Sequence, residues 1–344
     1  MANTEKPPHA TLALPQLRAA LLTWYRRHKR DLPWRKDHDP YRVWVSEIML
    51  QQTRVAAVLE HYRIFLDAFP TITALAAAPE DQVLSLWSGL GYYRRARMLH
   101  RAARYVVSEL GGAIPQDAVS LRTLPGVGRY TAAAIASIAH GEPVSVVDGN
   151  VERVLSRIDG QPRDNSSAWP RAQQLLDQRH PGDWNQAMME LGATVCTPLN
   201  PTCLLCPVRD WCRTTALQIP ATRKPQPPRK RVRMDRALIL HGGRVYLVQR
   251  PRDAAKMAGM WELPAADGAA ADHPTAPTPK LAAELRVVRH SITDTDYEVR
   301  VLSLPLKALT AEKKKAGRWV ERDEIWQLPL TGLTRKILRL QGLQ

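Results

Sequence analysis

The basic, proline-rich stretch at residues 219–232 constrains most strongly how this chain of 344 residues can fold. Pro220, Pro225, Pro227 and Pro228 lie there among lysines and arginines. Segments of this composition are extended and stiff, and they commonly join domains. We therefore predict one folded region at residues 1–218, a linker at 219–232 and a second domain at 233–344.

The spacing of apolar residues changes across this linker. Before it, apolar residues recur every three to four positions, which predicts helices at 17–28, 59–69, 79–87 and 184–192 besides one that begins near residue 40. After it, two apolar runs at 237–240 and 245–250 flank Gly242-Gly243, which predicts a β-hairpin. We predict further strands at 285–292, 297–304 and 317–320 and a helix at 334–341. The chain is therefore predicted to be multidomain, with an all-α part followed by an α+β part.

The net charge of +16 and the pI near 10.0 indicate a polyanionic partner, without separating DNA, RNA and an anionic membrane. Apolar runs stay well short of the length that spans a bilayer, so we expect no membrane partner. Residues 1–11 lack a charged start followed by an apolar core, which argues against a secretory signal. We therefore expect an intracellular protein.

A carboxylate lies within the apolar face of the helix that begins near residue 40. Asp39 can cap this helix and Pro40 suits its first position. Glu47 falls in the middle of an apolar arc formed by Val43, Trp44, Ile48, Leu50, Val55, Val58 and Leu59. A buried carboxylate must be paired or have a raised pKa, and a raised pKa suits a general acid. The helix alone favours the plainer interpretation, a glutamate paired with an arginine.

Two later stretches have patterns that are typical of DNA-backbone contact. Arg94, Arg97, Arg101 and Arg104 form a basic stripe on a helix that follows the turn 89–93, although an ordinary solvated face explains such a stripe equally well. The sequence L-P-G-V-G at 124–128 lies between two helical patterns and predicts a helix-hairpin-helix. Its Gly126, Val127 and Gly128 can present backbone N–H groups to a phosphate.

The four cysteines of the chain lie within one loop, at 196–212. Their spacing is C-x6-C-x2-C-x5-C, which differs from the paired C-x2-C knuckles of common zinc sites. The spacing of Cys196, Cys203, Cys206 and Cys212 favours a [4Fe–4S] cluster over zinc, with structural disulfides third. Asp148 opens another helix, and taken alone it is best explained as a simple N-cap.

Taken together and in this order, the motifs V-S-E-I-M-L-Q-Q-T, L-G-Y-Y-R-R-A-R, L-P-G-V-G-R-Y-T, V-D-G-N-V and the cysteine spacing resemble the MutY family of adenine DNA glycosylases. The resemblance implies an all-α helix-hairpin-helix glycosylase with an iron–sulfur loop, followed by an α+β Nudix-like domain. It implies removal of adenine mispaired with 8-oxoguanine or guanine in double-stranded DNA, as a step of base excision repair. We also expect a monomer in the cytoplasm, at the nucleoid, of a bacterium.

The resemblance also implies roles for single residues. Glu47 resembles the acid that protonates adenine, and Asp148 the carboxylate that stabilises the cationic sugar or its covalent intermediate, with Tyr130 and Asn150 orienting it. The residues that resemble the substrate-binding set are Trp34, Arg35 and Gln186 in the adenine pocket, Gln52 and Tyr92 as wedges in the duplex, and Leu50. The related lyases carry lysine where Tyr130 stands, so the resemblance implies a monofunctional glycosylase.

The second domain resembles a lesion reader that has lost hydrolase chemistry. The phosphohydrolase signature G-x5-E-x7-R-E-x2-E-E is absent between Pro251 and Val320, which argues against a magnesium site there. The Phe-Ser-His turn of the family corresponds to Ile292, Thr293 and Asp294, so Ile292 and Thr293 are the expected lesion-reading residues. Three alternatives stay open: a thymine-glycol-type glycosylase with lyase activity, a lesion-binding protein without chemistry, and a Nudix hydrolase with a DNA-binding extension.

Overall fold

The computed structural model describes residues 14–214, 228–265, 282–292, 294–306 and 317–343. Backbone contacts divide the chain into two compact units. The first is Met1–Ala77 with Met98–Pro225, and the second is Ala78–Arg97 with Gln226–Gln344. The second unit therefore includes twenty residues from the helical half of the sequence, which no pattern in the sequence predicts.

Helices account for nearly all regular structure before residue 200. They are α1 (Leu14–His28), α2 (Pro40–Leu50), α3 (Val55–Ala68), α4 (Ile72–Ala77), α5 (Glu80–Trp87), α6 (Arg94–Glu109), α7 (Ala118–Leu121), α8 (Arg129–His140), α9 (Gly149–Asp159), α10 (Asn165–Leu175) and α11 (Pro181–Thr194). The division between the units falls inside α6, after Arg97. Among the described residues, none of the helices is long and apolar enough to cross a bilayer.

Helix α8 is the centre of the first unit. Its residues 131–138 are all buried, and it packs against α2, α7 and α11. The alanines of α8 keep its surface narrow, so neighbouring helices can approach closely. A Cβ at Gly182 of α11 would lie 2.7 Å from the Ser137 carbonyl oxygen, which shows how tightly α11 packs on α8.

Helix α2 begins as its sequence predicts but ends earlier. The Asp39 side chain accepts hydrogen bonds from the backbone N–H groups of Tyr41 and Arg42, and Pro40 is the first helical residue. The helix ends at Leu50, and Gln52 has a φ of 55°. Val55, Val58 and Leu59 therefore belong to α3 and not to the helix that carries Glu47, and Leu59 is 38% exposed.

The second unit contains two sheets. Its strands are β1 (Lys230–Leu238), β2 (Leu240–His241), β3 (Arg244–Gln249), β4 (Trp261–Glu262), β5 (Ala283–Ile292), β6 (Thr295–Ser303) and β7 (Gly317–Glu321). One sheet has the order β1-β6-β5, with β1 and β6 parallel and β5 and β6 antiparallel. In the other, β3 pairs with β2, β4 and β7.

Two expectations about this region need correction. The predicted hairpin at 237–250 is wrong for most of its first strand, because β1 pairs with β6 and only Leu240 and His241 form a strand beside β3. Met234 and Leu238 are instead buried with Val299 and Val301 in one core. In addition, β1 begins at Lys230, inside the predicted linker, whereas residues 215–227 lie outside the described part of the chain.

The core of the second unit lies between its strands and a C-terminal helix, α12 (Gly332–Leu340), which presents buried Leu333, Ile337 and Leu338 to it. Glu262 is 3% exposed and accepts hydrogen bonds of 3.1 Å from Arg250 at both of its oxygens. A buried carboxylate of this kind is stable only with such a partner.

Candidate active site

Glu47 lies in the interior of the first unit with one oxygen unused. The residue is 6% exposed, and its Oε2 atom is buried with no hydrogen-bond partner in the described part of the chain. The pKa of Glu47 is raised to about 7, mainly because the carboxyl group is buried. The nearby Asp148 also raises this pKa, whereas a hydrogen bond from Tyr130 and the charge of Arg35 lower it. A carboxyl group with this pKa is partly protonated near neutral pH, as a general acid must be.

Asp148 is both an N-cap and a neighbour of Glu47. Its Oδ1 accepts a 2.8 Å hydrogen bond from the Val151 backbone N–H, and its Oδ2 accepts one of 2.9 Å from the Asn150 side chain. The residue is half-buried, so it remains open to solvent or a ligand. Because Glu47 and Asp148 interact electrostatically, the structure brings the two predicted carboxylates into one site.

Tyr130, in the first turn of α8, forms a hydrogen bond with Glu47 and interacts electrostatically with Asp148. Burial raises its pKa well above the usual value, and the charges of Glu47 and Asp148 raise it further, so the phenol stays neutral. Its hydroxyl also lies 3.3 Å from Sδ of Met189 in α11. A neutral hydroxyl here can orient Glu47 without competing for its proton.

Arg35 is fixed by a buried carboxylate that sequence reasoning missed. Glu190 in α11 is 1% exposed, and it accepts a 2.8 Å bond from Arg35 and bonds of 2.7 and 2.8 Å from Arg30. Burial by itself would raise the pKa of Glu190, but the hydrogen bonds from Arg30 and Arg35 outweigh it and hold the pKa at about 2. Trp34, from the same turn as Arg35, is buried, and its ring packs edge-on against that of Tyr62 with 5.3 Å between the ring centroids.

Helix α11 carries two further residues that shape the site. Asn185 is buried, accepts the Val146 backbone N–H at 3.0 Å and donates to the Ser137 hydroxyl, so it holds the segment that leads into Asp148. A Cβ at Gly192 would lie 2.6 Å from Cβ of Asn150, so only glycine allows this contact. The predicted Gln186 is buried on the same helix. The signal that could have revealed Asn185 and Glu190 is polar residues within an apolar helical stretch.

The predicted hairpin lies between α7 and α8, and its glycines differ in role. Gly126 has a φ of 76°, and a Cβ there would lie 2.5 Å from Cβ of Met98. Gly128 is the N-cap of α8 with a φ of −87°, makes no side-chain cap, and has open space around its α-carbon. A positive φ therefore explains why glycine occurs at position 126 but not at position 128. At position 128 the missing side chain leaves the first backbone N–H groups of α8 accessible. Val127, between the two glycines, is buried.

Two predicted wedge residues have unusual backbones. Gln52 follows α2 in an exposed turn with a φ of 55°, and Tyr92 has a φ of 48° and is 49% exposed. Leu50, the last residue of α2, is half-buried. Gln52 and Leu50 belong to the first unit and Tyr92 to the second.

The basic stripe on α6 is only partly free for phosphate. Arg97 pairs with Glu80 of α5 at 2.9 Å and also donates to the Ala258 carbonyl, so its guanidinium is engaged within the protein. Arg104 donates to the Ala76 carbonyl at 3.2 Å. Arg94 and Arg101 are exposed.

The four cysteines surround one cavity of about 820 Å³. Cys196, Cys203, Cys206 and Cys212 all line it, and Arg157 donates to Sγ of Cys196 at 3.3 Å. Burial raises the pKa of the Cys206 thiol to about 11, so a bound cation is needed to displace its proton at neutral pH. Among the described residues, no group of three or more His, Cys, Asp or Glu is placed to hold a single metal ion.

Arg153 connects this loop to Asp148. It donates to the Cys196 carbonyl at 2.9 Å and the Gly192 carbonyl at 2.7 Å, and to Oδ1 of Asn150 at 2.9 Å. Asn150 in turn donates to Asp148. The cysteine loop and the carboxylate are therefore joined by one arginine.

Comparison with known proteins identifies the family. The sequence model of the HhH-GPD superfamily of base excision DNA repair proteins matches residues 45–175, and that of the NUDIX domain matches residues 236–340. An adenine DNA glycosylase of Rattus norvegicus is 37% identical over 401 residues, covering 94% of this chain and 77% of the relative. The chain belongs to the MutY family of adenine DNA glycosylases. An adenine DNA glycosylase of Homo sapiens is 54% identical over 211 residues, which is 57% of this chain and 39% of that protein.

Solved structures agree with this fold. A thermostable thymine-DNA glycosylase has a TM-score of 0.54 at 29% identity and covers 58% of this chain and 97% of its own. A trapped endonuclease III–DNA covalent intermediate has a TM-score of 0.51 at 23% identity, covers 59% of this chain and 97% of its own, and shares the fold. The expectations of a helix-hairpin-helix glycosylase region followed by a Nudix-like domain, of an enzyme, and of a base excision repair glycosylase are confirmed.

Of the two predicted lesion-reading residues, Ile292 lies in the described part of the chain, at the end of the β5–β6 pairing. Ile292 ends β5, is half-buried and pairs with Thr295 of β6. Thr293 lies outside the described residues. Arg229 supports this end of the pairing, because it donates to Asp296 at 2.7 Å.

Proposed function

We propose that this glycosylase hydrolyses the bond between adenine and its deoxyribose where adenine is mispaired with 8-oxoguanine or guanine. The observation that carries the proposal is the pair of carboxylates with different environments. Glu47 is buried with a pKa of about 7 and a free oxygen, and Asp148 is half-buried and held by Asn150. Glycosidic bond cleavage needs one carboxyl group as acid and one as anion.

The substrate must leave the duplex before these groups can act. The glycosidic bond of a stacked base is out of reach, so the adenosine is flipped into the site. Glu47 then protonates N7 of adenine, which makes the base a better leaving group, and a positioned acid of this kind contributes about 10²–10⁴ in rate. Trp34, Arg35 and Gln186 are proposed to hold the base.

Asp148 is proposed to stabilise the cationic sugar, or to bond to it transiently, until water completes hydrolysis. The Asn150 side chain keeps one oxygen of Asp148 in place, and the first N–H groups of α9 stabilise its negative charge. Tyr130 stands where a lyase has lysine, so no amine is present to form a Schiff base at this position. We therefore expect purified enzyme to release adenine much faster than it nicks abasic DNA.

The decisive assay uses a duplex with adenine opposite 8-oxoguanine and alkaline cleavage of the abasic product. Wild type is expected to release adenine with a rate that falls as pH rises through about 7, whereas Glu47→Gln binds the duplex without turnover. Binding without turnover by wild type would favour a lesion-binding protein, and nicking as fast as base release would favour a lyase.

We propose a [4Fe–4S] cluster at the four cysteines. Four thiols line one cavity of about 820 Å³, and Arg157 donates a hydrogen bond to the Cys196 sulfur. Hydrogen bonds to the sulfurs are among the features that tune an iron–sulfur cluster. The cluster would hold the loop at 196–212 in place, with Arg209 and the adjoining Arg213 proposed to lie near the DNA backbone. Analysis of purified protein should find about four iron and four sulfide per chain. Zinc without iron would contradict the proposal.

The tip of the β5–β6 hairpin is proposed to read 8-oxoguanine. Deleting residues 232–344 is expected to weaken the preference for 8-oxoguanine over guanine, but it also removes the carbonyl partners of Ser88 and Tyr93. The full-length variant Ile292→Ala is the cleaner test, and an unchanged preference would refute the reader role. The monomeric state and the bacterial location stay predictions.

A further inference from the structure

The loop that carries Tyr92 adopts a strained conformation. Gly89 and Gly91 have φ values of 117° and 69°, and Tyr92, which is not a glycine, has a φ of 48°. An aromatic residue in the left-handed region persists only where its surroundings hold it there. Yet the Tyr92 side chain is 49% exposed, so contacts of its own ring account for little of that support.

One set of supports comes from the neighbouring residues in the sequence. Trp87 donates from Nε1 to the Gly91 carbonyl at 3.1 Å, and Arg95 donates to the Leu90 and Gly91 carbonyls at 3.2 Å each. The guanidinium of Arg95 also lies 5.5 Å from the Tyr92 ring centroid. These bonds close the turn, but every partner belongs to residues 87–95.

A second set comes from residues more than 200 positions later, in the same compact unit. The Ser88 hydroxyl donates to the Leu330 carbonyl at 3.2 Å, and the Tyr93 hydroxyl lies 3.2 Å from the Ser88 oxygen and 3.4 Å from that carbonyl. Ser88 and Tyr93 are 3% and 7% exposed, so water does not compete for these bonds. Ser88 and Tyr93 flank the segment Gly89–Tyr92 on its two sides.

The acceptor segment is itself rigid. The Trp261 backbone of β4 accepts a hydrogen bond from the Thr331 N–H and donates one to the Pro329 carbonyl, both at 2.9 Å. Leu330, between Pro329 and Thr331 in the chain, is fully buried. Ser85, one turn earlier in α5, adds a 3.1 Å bond to the Trp326 carbonyl.

We propose that Ser88 and Tyr93 are positioning residues that hold Tyr92 in its wedge conformation by anchoring the loop to the Leu330 carbonyl. The inference rests on the proposed function, in which Tyr92 enters the duplex when adenine is flipped. It assigns the C-terminal part of the chain a second role, in base extrusion, beside the reading of the lesion.

The first test measures the loop directly in full-length protein. Tyr93→Phe removes one hydroxyl and keeps the ring, and Tyr41→Phe is the matched control, because the buried Tyr41 also donates to a carbonyl, that of Phe69 at 2.8 Å. Amide hydrogen exchange of a peptide covering residues 88–93 is expected to speed up about fivefold in Tyr93→Phe, the effect of one buried hydrogen bond, and to stay unchanged in Tyr41→Phe. Unchanged exchange in Tyr93→Phe and in Ser88→Ala would overturn the proposal.

The second test is a double-mutant cycle on single-turnover adenine release opposite 8-oxoguanine. Tyr93→Phe is expected to slow release about fivefold in wild type and to have almost no further effect in Tyr92→Ala, because the residue it positions is gone. Equal slowing in both backgrounds would show that Tyr93 acts through packing and would overturn the inference. A wild-type rate of adenine release in Tyr92→Ala would also overturn the inference, because Tyr92 would then not be needed, whereas the proposed glycosylase function would stand.

A wild-type enzyme that fails to release adenine would overturn the proposed function instead. The exchange measurement would still decide whether Ser88 and Tyr93 hold the loop.

Discussion

The free oxygen of Glu47 is a source of instability as well as of chemistry. An ionised carboxylate in this position lacks the hydrogen bonds that water would give it. Tyr130 and Arg35 compensate in part, since both lower the pKa of Glu47. The carboxyl group therefore holds its proton in the native state to about pH 7, whereas in the unfolded chain it loses the proton near the ordinary value of 4.5. Its contribution to stability is thus present at low pH and is lost as pH rises through 7.

This linkage predicts that Glu47→Gln stabilises the protein at alkaline pH. The amide has the shape of the acid and never ionises. At pH 8 the variant should therefore have a free energy of unfolding up to about 3 kcal/mol larger than that of wild type, and should unfold at a higher temperature. The difference should shrink as pH falls toward 5. Thermal unfolding of both proteins across this range measures it, and a constant difference would contradict the assigned pKa.

Glu190 has the opposite linkage, because its pKa is lowered to about 2. Its stabilisation is present above the unfolded value of 4.5 and is lost as pH falls through 2. We expect Glu190→Gln to lower the free energy of unfolding by about 3 kcal/mol at pH 7, since Arg30 and Arg35 lose a buried anionic partner. Denaturant titration checks this.

Arg26→Gln is the control for Glu190→Gln. It breaks the exposed pair with Asp183 and should cost about 0.5 kcal/mol or less. Equal costs for the two variants would mean that the buried triad contributes no more than a surface ion pair.

At the scale of elements, two substitutions in the hairpin before α8 distinguish its role in folding from its proposed role in DNA contact. Gly126→Ala is expected to destabilise the protein by more than 1 kcal/mol, because the new Cβ meets Met98 and the φ of 76° disfavours alanine. Gly128→Ala has open space and an ordinary φ, so its stability should change little. Its affinity for undamaged duplex should still fall, because the methyl group lies where a phosphate would approach. Unfolding and DNA titrations on both variants test this pair, and equal losses of stability would refute the distinction.

Arg153 couples two elements, the start of α9 and the cysteine loop. Arg153→Gln is expected to slow adenine release at least about tenfold, because Asn150 and the Cys196 carbonyl lose their common partner. The iron content of the purified variant shows whether the loop itself is damaged. Arg63→Gln, an exposed arginine paired with Glu60 and Asp67, should behave as wild type. A wild-type rate in Arg153→Gln would show that the connection is incidental.

Sequence patterns predicted these elements well where the cause is local. Asp39 and Pro40 set the start of α2 through contacts within three residues, and the two glycines marked the hairpin before α8. The strand β1 was misassigned because its pairing with β6 joins residues 65 positions apart, such as Met234 and Val299. Alternation of apolar residues shows that a strand forms, but not which neighbour it takes.

At the scale of the whole molecule, the charge of +16 predicts a steep salt dependence of DNA binding. We expect the basic residues to neutralise several phosphates in the DNA complex, so raising salt from about 50 to 200 mM should weaken affinity at least about 100-fold. A matched duplex without the mispair should show a similar slope, because backbone contacts do not read sequence. Titrations of both duplexes at several salt concentrations test this, and a slope near zero would contradict phosphate neutralisation as the main source of affinity.

The amino-acid sequence by itself determined the family, the helix caps, the cysteine loop and the two acidic residues, since each follows from residue types at short, fixed spacings. Only the tertiary structure decided that Glu190 holds Arg35, that Arg153 joins the cysteine loop to Asp148, and that residues 78–97 belong with the C-terminal part. Burial and hydrogen bonding between distant residues govern these features, because desolvation gives a charge its pKa and its partner only after the chain has packed around it.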